Sequence, residues 1–186
     1  IVSHENGAGT KTTSAVSLKS NGTFITNSFD ENDENFSSTN TIGTFLNGEY
    51  LTSYVDSSYS GMIEDSTTWY LGTVRDGESY KLAKYTDTNM SSVTPTTTNA
   101  KVGLLRYGEL MSGQFDRNGN NKDYWTLTPS DNYGGYVWKV ENDGRISNYS
   151  DSTASGVRPS LNLKSNVIIT GGDGTKNNPF VLTLGS

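Results

Sequence analysis

Apolar and polar side chains alternate along much of the chain, which predicts a fold built mainly from short β-strands. The alternation is clearest at 136–140 and at 180–184, where every second residue is apolar. Further strands are predicted at 69–74, 80–85, 101–105, 124–127, 145–146, 157–163 and 167–169. Clusters of Asn, Asp and Gly separate these segments, and such residues favour turns. The pattern therefore predicts several short strands joined by polar turns.

Two segments carry helical spacing instead. Apolar residues recur at intervals of one, three and four between Leu46 and Ile63, which predicts an amphipathic helix over about 47–63, with Asn47 as its N-cap. A shorter helix is predicted over 107–115 on the same grounds.

The first 43 residues show little periodicity, and we interpret residues 1–43 as a peripheral N-terminal segment. A hairpin is predicted around the Asn21-Gly22 turn, and an acidic loop at 29–36. Residues 44–186 then form a single domain, because a chain of this length buries a sizeable core without splitting.

Composition supports a loop-rich, β-rich globular domain. Ser, Thr and Asn supply 67 of the 186 residues, while 11% of the chain is aromatic, more than a disordered chain would carry. This composition is typical of exported bacterial proteins, so the expected location is extracellular or at the cell surface. No stretch is apolar enough to predict a membrane span. Because the chain begins at Ile1 rather than Met, we expect a mature or excised fragment.

Charge and cysteine content exclude several functions. The net charge is −6 and no run of Lys or Arg occurs, so nucleic acid is not an expected partner. The absence of cysteine excludes disulfides, thiolate catalysis and cysteine zinc sites. The chain has a single histidine, His4, so a Ser-His-Asp triad would depend on the N-terminal segment. Paired carboxylates for glycoside hydrolysis stay open, although no pair stands out.

An ordered series of short motifs marks the C-terminal half. In chain order they are Val102-Gly103-Leu104-Leu105 leading to Glu109-Leu110, then Tyr124-Trp125-Thr126-Leu127, Val137-Trp138, and Gly156-Val157-Arg158-Pro159. This series resembles bacterial surface modules that include the Fibrobacter major paralogous domain. The resemblance covers about residues 44–186.

The resemblance implies an α+β fold of the C-type-lectin-like and formylglycine-generating-enzyme type. In such a fold two short helices pack on a twisted antiparallel β-sheet with long polar loops. It also implies a structural role for Arg158 in the closing strand. The enzymes of this fold need reactive cysteines or a histidine cluster, which this chain lacks, so we expect a protein that is not an enzyme.

One segment resembles the start of a calcium loop. Oxygen-bearing side chains recur at nearly alternate positions in Asp116, Asn118, Asn120 and Asp123. The loop lacks the usual glycine at its sixth position and glutamate at its twelfth, so a polar turn is the alternative. A structural calcium is the sole cofactor that the sequence suggests.

A cluster of aromatic and amide side chains predicts the ligand-binding surface. Its members are Asn132, Tyr133, Tyr136, Trp138, Asn142, Arg145, Asn148 and Tyr149. Aromatic rings stack on sugars or on partner side chains, while amides and arginine donate directional hydrogen bonds. The alternative for Trp138 is a place in the core, and Trp125 is interpreted as structural.

These observations predict a non-catalytic binding module of a secreted or cell-surface bacterial protein, similar to an adhesin. Its partner would be a glycan or a protein on a cell surface. The alternative is a subunit or head domain of a pilus or other surface fibre, whose partners are neighbouring subunits.

Overall fold

The computed structural model describes residues 18–74, 96–112, 123–131, 133–175 and 177–186. Within them the chain is mostly β-sheet with a few short helices, which confirms the α+β class. The helices are α1 Thr41–Asn47, α2 Glu49–Ser53, α3 Ser57–Ser60 and α4 Tyr107–Ser112. The strands are β1 Lys19–Ser20, β2 Thr23–Phe24, β3 Thr26–Asn27, β4 Thr67–Leu71, β5 Thr96–Ala100, β6 Val102–Gly103, β7 Tyr124–Pro129, β8 Tyr136–Val140, β9 Ile146–Ser150, β10 Ser155–Gly156, β11 Ser160–Leu161, β12 Val167–Gly171 and β13 Val181–Leu184.

A five-stranded sheet in the order β3-β10-β7-β8-β9 forms the centre of the fold. Its pairs are antiparallel except for β10 with β7. Every residue of β7 is buried, because both faces of this strand are covered. The strands predicted at 124–127 and 136–140 are therefore present, and they form the middle of the central sheet.

The two faces of the central sheet pack against different elements. Trp125, Leu127 and Val137 point to one face, which we call the core face, and join the largest apolar cluster. Other members of that cluster are Phe29, Phe36, Ile42, Leu46, Trp69, Ala100, Val102, Leu104 and Val157. On the opposite face, which we call the α4 face, Tyr124, Trp138 and Val140 pack near helix α4. The sheet is thus the middle layer of the structure.

Within residues 18–43, which the sequence places in a peripheral segment, one strand joins the central sheet and several side chains join the core. Strand β3 pairs with β10 and so extends the central sheet. Phe29 and Phe36, at the two ends of the predicted acidic loop, are 0% and 1% exposed. These two buried aromatic rings anchor the acidic segment to the largest apolar cluster. The predicted hairpin is present as β1 and β2, with Asn21 and Gly22 both at positive φ.

The single helix predicted over 47–63 is replaced by α1, α2 and α3. Asn40, not Asn47, caps α1, because its side chain accepts a hydrogen bond from the Gly43 backbone N–H at 3.0 Å. The Asn47 side chain instead bonds both backbone groups of Val102, at 2.9 and 3.0 Å. Gly48 follows with non-helical dihedral angles, and the Ser-rich continuation is a poor helix former.

Two further strand pairs form separate two-stranded sheets. Strand β4 pairs with β5, whereas the partner predicted at 80–85 lies outside the described residues. At the C-terminal end β12 pairs with β13, and this hairpin carries four exposed apolar side chains: Ile168, Ile169, Val181 and Leu184. None of the helices in the described ranges is long and apolar enough to cross a membrane. The predicted second helix begins at Tyr107 as α4, and residues 113–115 are outside the described residues.

Candidate functional site

Tyr133 and Tyr136 form an exposed aromatic pair at the turn between β7 and β8. Their ring centroids are 5.4 Å apart and the ring planes are inclined by 46°. Tyr133 is 51% exposed and Tyr136 is 37% exposed. Gly135 between them has a φ of 75°, a conformation that a side chain would strain. The turn therefore presents two neighbouring rings to solvent, and we call them the tyrosine pair.

Tyr149 lies on the other face of the sheet. It stands opposite Val137 in the β8–β9 register, while Tyr136 stands opposite Ser150. Since neighbouring strand residues point to opposite faces, Tyr149 lies on the core face and Tyr136 on the α4 face. Tyr149 is 44% exposed, and the Lys139 ammonium lies 3.7 Å from its ring centroid. The predicted aromatic cluster is thus divided between two faces.

Trp138 lies in the core, which removes it from the predicted binding surface. Its side chain is 2% exposed, and its indole N–H donates to the Val74 carbonyl at 3.0 Å. The ring meets Tyr107 edge to face with centroids 5.2 Å apart. Trp138 and Tyr136 point to the same face of β8. Helix α4 covers that face at Trp138, so this side chain is buried.

The polar members of the predicted surface have separate surroundings. Arg145 is exposed and its Nε donates to the Asp143 carboxylate at 2.6 Å. The backbone N–H of Asn142 donates to Asp123 at 3.0 Å. Asn148 stands opposite Trp138 in β9, on the α4 face and on the same side as the tyrosine pair. Asn132 lies outside the described residues.

Asp123 is the one member of the predicted calcium loop within the described residues, since Asp116, Asn118 and Asn120 lie outside them. Its carboxylate accepts a hydrogen bond from Lys139 at 2.7 Å and another from the Asn142 backbone. In the described part of the chain no three His, Cys, Asp or Glu side chains are grouped so that they could hold a metal ion. The side chain of Asp123 is therefore engaged by the sheet next to it.

Lys139 is not among the site residues predicted from the sequence, although it lies between the carboxylates of Asp123 and Glu141. It is 3% exposed and points to the core face of β8, with Asp123 on one side and Glu141 at 3.9 Å. A buried ammonium must be paired, and these two carboxylates together with the Tyr149 ring surround it. A lysine at an inward position of a strand is the sequence signal that could have indicated it.

A group of carboxylates lies at the end of the β8–β9 hairpin. Glu34 accepts a hydrogen bond from the Gly135 N–H at 3.2 Å, and the Asp30 N–H donates to the Asp151 carbonyl at 3.3 Å. Burial raises the pKa of Asp151, and the nearby charges of Glu34 and Asp30 raise that pKa further, although the Ser152 backbone N–H opposes both effects. The three acidic residues give this end of the sheet a negative charge next to the tyrosine pair.

Trp125 and Arg158 both lie in the interior. Trp125 is 1% exposed, donates its indole N–H to the Asn27 carbonyl at 2.9 Å, and meets Phe29 edge to face. The Arg158 guanidinium stacks on the Tyr124 ring at 3.8 Å from the centroid. These contacts tie the N-terminal segment and the closing strands to β7.

Comparison with protein-family models, curated proteins and solved structures finds no match for this chain. The site is therefore interpreted from its own geometry. That geometry comprises an exposed tyrosine pair, an amide on the same face, and a negative end of the sheet.

Proposed function

We propose that this protein is a non-catalytic binding module of C-type-lectin-like fold, carried by a secreted or cell-surface bacterial protein. Its ligand is a glycan or a protein held by the tyrosine pair and Asn148. The order of the motifs from Val102 to Arg158 and the two-sided packing of the central sheet support this fold. The composition of the chain supports the location.

The exposure of the tyrosine pair is the observation that carries the proposal. Burying a tyrosine ring removes a large apolar area from water, and a sequence gains nothing for folding by leaving two adjacent rings at the surface. Two inclined rings offer faces on which a sugar ring or an aliphatic side chain stacks. The phenol hydroxyls and the Asn148 amide donate and accept hydrogen bonds at the margin of that surface.

The choice between binding and catalysis rests on composition. The chain has no cysteine and a single histidine, so the thiol and histidine-cluster chemistries of the fold lack their residues. The carboxylates of Asp123 and Glu141 lie against Lys139, which accounts for both as partners of a buried cation.

A fibre subunit is the second candidate, and the C-terminal hairpin favours it. Ile169 is 61% exposed and Ile168 is 50% exposed, on strands that pair with nothing beyond each other among the described residues. An isolated two-stranded hairpin is marginally stable in water, so burying these side chains against a neighbouring subunit would stabilise it.

A glycan and cell-surface protein array tests the proposal. We expect the wild-type chain to bind defined array members, and Tyr136→Ala to reduce that signal by about tenfold or more, because hot-spot aromatics contribute about 2 kcal/mol or more. Tyr70→Ala is the matched control, since Tyr70 on β4 is 36% exposed, nearly as much as Tyr136. The control should bind like the wild type.

The same array in chelator separates a calcium-dependent ligand from a direct one. Signal that is independent of calcium and sensitive to Tyr136→Ala supports the tyrosine pair as the binding surface. An array without wild-type signal contradicts the binding proposal and favours the fibre subunit. Equal loss in Tyr136→Ala and Tyr70→Ala would contradict the assigned location of the site.

A further inference from the structure

The outer edge of β9 is the long free edge of the central sheet. Among the described strands, β9 pairs with β8 alone. Two backbone bonds identify the hydrogen-bonded residue pairs of this ladder: the Glu141 N–H donates to the Arg145 carbonyl, and the Asp151 N–H donates to the Gly135 carbonyl. In β9 these pairs fall at odd-numbered residues, so the even-numbered residues direct their N–H and C=O groups outward. Among the described residues, the backbone groups of Ile146 and Asn148 have no partner on that side.

This edge lacks the features that usually protect an edge strand. Charged side chains, proline and β-bulges prevent free strands from pairing with other chains. The β9 sequence Ile-Ser-Asn-Tyr-Ser contains no charge and no proline, and its register with β8 is unbroken over 146–150. The outward groups of Ile146 and Asn148 thus form a short template for an additional strand, whereas the Ser150 carbonyl accepts a hydrogen bond from the Thr153 N–H at 3.0 Å.

We propose that the occupant of this edge is β9 of a second copy of this chain, paired antiparallel about a two-fold axis at Asn148. Such pairing places the start of each β9 beside the end of the other. Residue 145 of each copy then stands opposite residue 151 of the other, on the same face of the joined sheet. In a two-fold symmetric contact, the start of β9 in one copy meets the end of β9 in the other, so these two ends must be complementary in charge.

Charge supplies the complementarity. Arg145, just before β9, has a side chain that is 78% exposed and donates its Nε to Asp143, so its two Nη groups remain at the tip. Asp151, just after β9, is 5% exposed and lies with the half-buried Asp30 and Glu34. Within the described residues no lysine or arginine pairs with any of these three acids. Self-pairing therefore brings the exposed Arg145 side chain towards this acidic group, whose half-buried members are Asp30 and Glu34, at both ends of the interface.

The dimer has a consequence for the proposed function, although it does not depend on that function. The two-fold axis is normal to the joined sheet, so the α4 faces of both copies point the same way. The two tyrosine pairs then lie on one side of the dimer. A surface ligand that is repeated in an array would be bound at two points, which raises its overall avidity without new contacts.

Analytical ultracentrifugation across a wide concentration range tests the dimer, with Asn148→Pro as the decisive variant. The N–H of Asn148 points outward, so proline removes a donor from the proposed interface and no bond from the β8–β9 ladder. Asn148→Thr is the matched control, because it changes the side chain and keeps the backbone donor. We expect reversible dimers for the wild type and Asn148→Thr, and monomers for Asn148→Pro.

Amide hydrogen exchange of the wild type at low and high concentration gives a second reading that needs no variant. The amides of Ile146 and Asn148 should become protected as concentration rises. Concentration-independent exchange at both amides, wild-type monomers throughout, or dimers that persist in a folded Asn148→Pro chain would each overturn the proposal. The array result with the wild-type chain distinguishes this failure from failure of the binding function, since binding at the tyrosine pair does not require the dimer.

Discussion

The interior and the rim of the central sheet are built from aromatic residues of the same short stretch of sequence, yet they behave oppositely. Trp125 and Trp138 are buried, and each indole N–H donates to a backbone carbonyl. Tyr133 and Tyr136, a few residues away, are exposed at the turn that joins the two tryptophan-bearing strands.

The difference shows what each set of rings stabilises. The tryptophans bring distant parts of the chain onto the sheet: Asn27 and Phe29 on the core face, Val74 and Tyr107 on the α4 face. The two rings of the tyrosine pair contact each other, and Tyr136 stands opposite Ser150 at the end of β9. Folding therefore depends on the interior aromatics, while the rim aromatics are available to a ligand.

The largest expected effect comes from the interior. Trp125→Ala should destabilise the protein by about 3–5 kcal/mol, because it leaves a cavity next to Phe29 and removes the donor of the Asn27 carbonyl. Urea denaturation monitored by circular dichroism measures this change. Trp125→Phe is the graded control, since it keeps a ring beside Phe29 and loses the indole donor. A loss below about 1 kcal/mol for Trp125→Ala would remove the distinction between interior and rim.

A smaller effect, and one of opposite sign, is expected at the acidic end of the rim. The pKa of Asp151 is raised in the folded state, chiefly by burial and further by Glu34 and Asp30. A raised carboxyl pKa means that ionisation of Asp151 costs stability in the fold. The protonated form contributes its full stability below the unfolded pKa, and this contribution is lost as the pH rises through the folded pKa.

Asp151→Asn should therefore raise the melting temperature at pH 7, because the amide keeps an acceptor oxygen for the Ser152 N–H and carries no charge. At about pH 3, below the unperturbed aspartate pKa of about 3.9, the advantage should disappear. Thermal melts of wild type and variant at the two pH values measure this. An equal gain at both pH values would show that charge is not the cause.

The sequence predicts strands well and exposure poorly, for identifiable reasons. The alternation at 136–140 and at 180–184 is equally clear, and β8 and β13 form at both places. Trp138 is buried because α4 covers its face of the sheet. The Leu184 side chain is half exposed because nothing among the described residues covers its face of β13. Alternation gives the period of a strand, and only tertiary contacts decide whether its apolar face is covered.

The core residues of the N-terminal segment and the buried Lys139 could not be predicted from the sequence, for related reasons. Phe29 and Phe36 are isolated apolar residues in an acidic stretch, so no periodicity marks them as core. Lys139 resembles any strand lysine until the register with Trp125 places it on the core face beside Asp123. The tyrosine pair, by contrast, could be predicted from its Gly-rich turn, because such turns lie at the surface.

The smallest expected effect on stability is also the most direct test of the account. The free energy of unfolding of the double variant Tyr133→Ala/Tyr136→Ala should lie within about 0.5 kcal/mol of the wild type, because surface rings contribute little to folding. Urea denaturation of the two proteins side by side gives this number. A loss of about 2 kcal/mol or more would show that the tyrosine pair is part of the packed core, and it would contradict the claim that this surface is left free for a ligand.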